Sequence, residues 1–136
     1  MVNKLMGLMK EQETHLSQLL VLLQVQKEMI MKKDAFGLEG LVDKLNDCSK
    51  KIAKKEVDRR RFLGDNSLTN IVNTSNNSEL KNIYEQIRVT LNNVIEQKDI
   101  NNILLKQELI FTNKMLNVIN PDREIKTYNS LGGLRK

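Results

Sequence analysis

The side chains that carry out chemistry in enzymes are scarce in this chain, and their spacing does not combine them. There is one histidine, His15, and one cysteine, Cys48, among 136 residues. They fall on different predicted helices, so the pattern offers neither a Cys/His nucleophile pair nor a histidine-containing metal cluster. His15 reads as a polar residue on a helix flank and Cys48 as a small core residue. The Gly132-Gly133 pair is no phosphate loop, because neither a strand before it nor a helix after it is predicted. No catalytic residue, metal site or cofactor is therefore expected, and the chain is read as a non-enzyme.

Two other stretches carry more information. Residues 50–61 (KKIAKKEVDRRR) contain seven basic and two acidic side chains, so this segment alone accounts for the net charge of +5 and the rest of the chain sums to zero. Such a run can grip phosphates at low salt. Glu56 and Asp58 interrupt it, however, and Phe62 is the only aromatic nearby, which equally suits a solvated helix face or an acidic protein partner. The second stretch is 100–119, where eleven of twenty residues are apolar and point in more than one direction at helical spacing. One packing face cannot use them all. Either the helix breaks near Asn101 and folds back to complete a four-helix bundle, or the surplus is a face for a partner's amphipathic helix, read through anchors at i, i+3, i+4 and i+7.

The elements that must position these stretches follow from periodicity. Leu5, Leu8, Met9, Leu16, Leu19, Leu20, Leu23 and Ile30 recur three and four apart, predicting a helix over about 3–32. Asp34 suits the N-cap of a second helix over about 37–63, in which Leu38, Leu41, Leu45, Cys48 and Ile52 step as a seam. The two should form an antiparallel hairpin. A connection rich in Asn and Ser spans 64–78, with Leu68, Ile71 and Val72 able to make one apolar turn. A third long helix over 79–119, about 60 Å at 1.5 Å per residue, outreaches partners of about 40 to 45 Å, so its last third should overhang. Its stripe runs through Leu80, Ile83, Tyr84, Ile87, Leu91, Val94 and Ile95 and then meets Gln97, Asn101 and Asn102, where a buried Asn would set register or the helix would kink.

The fold class is thus all-α: an antiparallel hairpin plus a long helix, forming an elongated three-helix bundle or coiled coil over 1–119, with residues 120–136 a flexible tail around the chain's only proline. The longest apolar run, Leu19 to Leu23, is too short to span a bilayer. The N-terminus lacks the apolar core of a secretory signal, so a cytoplasmic location is expected. Tyr128, the tail's one aromatic, is of the type favoured as an interface anchor.

Three features together resemble the FlgN family of flagellar export chaperones. The opening pair of Leu-rich helices has Glu28 before a short break and Asp34, Leu38, Leu41 and Leu45 after it, followed by a charged segment ending Arg60-Arg61-Phe62-Leu63. The long helix carries Asn101 and Asn102 followed by Leu104 and Leu105. The C-terminal run Thr127-Tyr128-Asn129-Ser130-Leu131-Gly132 is similar to the family's Thr-Tyr-x-x-x-Gly ending. The resemblance implies a cytoplasmic chaperone of flagellar type III secretion that binds the C-terminal helical segment of hook-associated (hook-filament junction) proteins, prevents premature assembly and delivers them to the export gate. The residues expected to form the client face are Ile100, Ile103, Leu104, Ile110, Phe111, Met115 and Val118, with Thr127, Tyr128 and Gly132 as a clamp or gate-docking element. Two competing readings use the same residues differently: a structural coiled coil that self-associates through the apolar face, and a non-specific nucleic-acid binder acting through 50–61.

Overall fold

The computed structural model describes residues 2–119, 127–128 and 134–135. Helix α1 (Val2–Met31) is followed by α2 (Ala35–Leu63), a short α3 (Leu68–Thr74) and the 42-residue α4 (Ser78–Ile119). Thr127–Tyr128 (β1) and Leu134–Arg135 (β2) pair antiparallel, Thr127 opposite Arg135 and Tyr128 opposite Leu134. The tail residues 120–126, 129–133 and 136, Gly132 among them, lie outside the described residues.

The reversal from α1 to α2 is compressed into three residues. Asp34 N–H donates to the Met29 carbonyl and Lys33 N–H to that of Ile30, closing the orphan carbonyls of α1, with Lys33 in the left-handed region at φ 58°. Asp34 then caps α2, its Oδ1 accepting from Gly37 N–H at 2.9 Å. A β-carbon on Gly37 would press against that carboxylate, so this glycine, although costly inside a helix, makes room for the cap. Ser67 caps α3, and Asn77 caps α4 through Oδ1 to the Leu80 N–H at 3.1 Å.

Helix α1 is the spine. It packs antiparallel to α2 and against α4, and α3 touches α4, while α2 and α4 scarcely meet. Gln12 facing Glu56 and the Cys48 thiol facing the His15 carbonyl fix the antiparallel sense of the hairpin. Lys10 bonded to Glu79 and Asn101 bonded to Leu23 show that α1 and α4 run parallel. At the end where both begin, Leu5, Met6, Met9, Leu63, Val72 and Leu80 form the densest core, with Leu68 and Ile71 of α3 packed against it. Along α1, Leu16, Leu23 and Ile30 continue the buried line, as the spacing predicted.

Of the two readings left open for the long helix, the continuous one holds: α4 neither breaks nor folds back near Asn101. One expectation needs correction. Leu91 and Ile95, expected in the core stripe, are 42% and 50% exposed, because α4 has α1 to pack against and no α2 beside it at that level.

The buried asparagine is the register device. Asn101 is 1% exposed; its Nδ2 donates to the Leu23 carbonyl (2.8 Å) and to Gln26 Oε1 (2.9 Å), and its Oδ1 accepts from Gln97 Nε2 (3.0 Å). With its polar atoms partnered, it holds α4 on α1 at one longitudinal position. Asn101→Ala removes two cross-helix bonds and strands the Gln26 and Gln97 amides. It should lower unfolding stability by about 1 to 3 kcal/mol, read as a lower denaturant midpoint with an unchanged slope.

Candidate functional site

The register set by Asn101 dictates where the apolar surplus of α4 lies. Asn101 beside Leu23, and Phe111 beside Lys33 with the ammonium 4.2 Å from the ring centroid, both place residue i of α1 against residue i + 78 of α4. Met31, the last residue of α1, is therefore level with Leu109. The ten residues from Ile110 to Ile119 project past it by about 15 Å. Along this stretch no residue is fully buried, and Phe111 meets the turn that carries Lys33.

Of the residues expected to form a binding face, five are exposed: Ile103, Ile110, Phe111, Met115 and Val118, with Val118 reaching 74%. Ile100 and Leu104 are half-buried, since they sit where α4 still rests on α1; Ile100 borders a surface recess with Leu20 and Gln24. At 100° per residue the seven form two stripes. Ile100, Leu104, Phe111, Met115 and Val118 make one, and Ile103 with Ile110 makes the other, roughly a quarter-turn away. A third stripe, Leu105, Leu109 and Leu116, was not among the expected site residues, although all three are exposed. Its signal was present in the sequence as part of the surplus pointing in several directions. The same end of the molecule presents Met31 and Phe36, the latter 88% exposed. The distal end is thus an apolar surface on several sides of one rod.

Of the tail residues proposed alongside this face, Thr127 and Tyr128 lie in β1, while Gly132 is outside the described residues.

A second apolar surface runs along the flank. Because α2 and α4 do not close on each other, a trough opens between them with α1 as its floor. Met9, Gln12 and Leu16 lie at the bottom, Ser49, Ile52, Ala53, Glu56 and Arg59 on the α2 wall, and Tyr84, Ile87 and Leu91 on the α4 wall. Glu56 is its electrostatic centre. It accepts from Arg59 Nη2 (2.6 Å), Arg60 Nε (2.8 Å) and Gln12 Nε2 (2.9 Å). The Arg59 bond, helped by that guanidinium's charge, holds the carboxyl below the ordinary value of 4.5 against the opposing effect of burial.

The reactive residues have structural employment. Burial pushes the Cys48 thiol up, against a smaller opposite effect of Lys51, and a protonated thiol is a poor nucleophile. It meets the His15 backbone, while the imidazole Nδ1 lies 3.4 Å from Gln18 Oε1. Among the described residues no group of three His, Cys, Asp or Glu side chains is placed to hold a metal ion. Among the described residues no helix is long and apolar enough to cross a membrane.

Fold and surface together define an all-helical protein with exposed apolar faces on its long helices. A family model described as FlgN protein matches residues 1–136, and the chain belongs to the FlgN family of flagellar export chaperones. No curated protein and no solved structure gives a match.

The Glu56 cluster yields a signed pH dependence. A carboxyl whose folded pKa is depressed stabilises the fold above its ordinary value and loses that contribution as the pH falls through the folded one. Glu56→Gln should lower the melting temperature at neutral pH, and the gap between wild type and variant should close as thermal melts are taken progressively below pH 4.5.

Proposed function

We propose that this chaperone acts in the cytoplasm on hook-associated proteins. It binds their C-terminal helical segment, keeps them from assembling early and delivers them to the flagellar type III export gate. The observation that carries the reading is the exposure of Ile103, Ile110, Phe111, Met115 and Val118 on an overhanging helix. An amphipathic client helix has an apolar stripe to cover, and a rod with apolar stripes on several sides offers it matching anchors. Ile100 and Leu104 extend the stripe of Phe111 back onto the α1-supported part of α4, so the client face begins on rigid ground and continues past it. Thr127, Tyr128 and Gly132 serve in this reading as a clamp on the client or as the element that docks at the gate.

The same face could instead bury itself against a second copy of the chain. A tight stoichiometric homodimer in sedimentation, with no client bound, would favour that structural reading.

The decisive test is Phe111→Asp. The substitution removes an exposed ring and its contact with Lys33, which at a surface site is worth about 0.5 to 1 kcal/mol. Far-UV helicity should therefore stay intact, with a melting temperature lowered by only a few degrees. Co-purification with a hook-associated protein should be lost, and its retention would count against the distal face as the client seat.

A further inference from the structure

We infer that the trough between α2 and α4 seats an amphipathic helix whose apolar stripe is bordered by acidic side chains. This rests on the chaperone reading and gives the client helix a position and a charge.

The packing supplies the vacancy. A helix is about 10 Å across and packs at interaxial distances of about 8 to 10 Å. With α1 as the floor and α2 and α4 diverging from it, a fourth helix laid along the trough would touch all three and complete a four-helix arrangement. Both walls hold apolar side chains that the monomer leaves in water. Val42 on α2 is 49% exposed, and Leu91 and Ile95 on α4 are similarly uncovered. On the helical wheel the α4 wall extends through Leu105 and Leu109, so the trough leads onto the third apolar stripe of the distal end, more than a third of a turn around α4 from that of Ile100 and Phe111.

Charge selects the occupant. The α2 wall belongs to the segment 50–61, with seven basic and two acidic residues. Glu56 is already engaged by Arg59 and Arg60, and Lys55 by Glu11. Lys50, Lys54 and Arg61 have no acidic partner among the described residues. At 100° per residue Arg60 falls between the trough residues Ser49 and Ala53, and Lys50 lies on their outward side, so these two border the trough. On the opposite wall Glu85 is paired with Arg88, and Lys98 shares the wheel direction of Leu91, so that wall adds no negative charge to offset the edge. A helix entering the trough thus meets apolar side chains below and uncompensated positive charge along one edge. Acidic flanks complement that edge, and basic flanks are repelled by it. A phosphate backbone would meet the charge but leave Val42, Leu91 and Ile95 uncovered.

The test uses two synthetic amphipathic peptides that share one Leu/Ile stripe, one flanked by glutamates and the other by lysines, with affinity read by fluorescence anisotropy on the full chain. At low salt the glutamate peptide should bind about tenfold or more tightly than the lysine peptide, a gap that narrows as ionic strength rises. Ala53→Glu or Ile95→Glu, both at exposed helix positions where far-UV helicity should be kept, should weaken the glutamate peptide by about tenfold. Lys50→Glu combined with Arg60→Glu should reverse the preference. Equal affinity for the two peptides, absence of binding, or glutamate-peptide binding untouched by Ala53→Glu and Ile95→Glu would each overturn the inference, as would an oligonucleotide that binds as tightly as the glutamate peptide. The peptides contain no client sequence, so the chaperone reading stands or falls separately, on the co-purification result for Phe111→Asp.

Discussion

One buried amide sets the geometry on which everything else rests. Asn101 could not sit inside an apolar seam without partners, and the partners it finds, the Leu23 carbonyl and the Gln26 side chain, exist at one longitudinal position of α4 on α1. A leucine there would pack at several registers with similar energy, whereas a misplaced amide would lose two hydrogen bonds in a dry environment. The extent of α4 beyond Met31, the level at which Phe111 meets Lys33 and the stretch over which α4 is backed by α1 all follow from that single alignment.

The second organising constraint is that α1 serves both of the other long helices. A three-helix bundle in which every helix touches both others hides its apolar residues inside. Here one helix is shared and two do not close, so the molecule buries well along α1 and poorly elsewhere. The connection through α3 tightens one end, where Leu63, Val72 and Leu80 meet Leu5 and Met9. Moving away from that end, buried residues thin out until the last stretch of α4 has none after Asn101. Local stability should follow the same gradient, with the tightest protection near α3. The surfaces proposed for binding lie where the protein's own packing is weakest.

The helices and their order are legible in the sequence because long, strongly periodic segments state their own period. The seam from Leu5 to Ile30 and the polar breaks at Gly64 and Asn73–Asn77 give boundaries within two residues of those observed. The overhang is legible from lengths alone. Less legible is which of the apolar residues on α4 face α1, since that depends on the absence of α2 beside it; hence Leu91 and Ile95 carry the spacing of core residues and stand in water, while Ile100 and Leu104 carry that of an open face and are half covered. Periodicity reports a direction around a helix and is silent on whether a neighbour occupies that direction. The role of Asn77 is hidden for a different reason. Five Asn, Ser and Thr residues precede α4, any of which has the chemistry of a cap, and only the backbone path selects one. Gly37 likewise reads as a weak point in the second helix until the carboxylate it accommodates is seen.

The projecting end of α4 carries a thermodynamic consequence. A ten-residue helical segment with no fully buried side chain gains little from packing, and propagation alone scarcely offsets the backbone entropy it fixes. Turns with so little packing open more readily than those of the core, and a ligand that settles there has to order them. Part of the attraction is spent on ordering, so contacts at the tip contribute less net affinity than equal contacts on the α1-backed stretch. In the proposed reading a bound helix is held firmly toward one end and loosely toward the other. Detachment can start at the loosely held end and travel inward one turn at a time, a geometry suited to cargo that has to be surrendered intact.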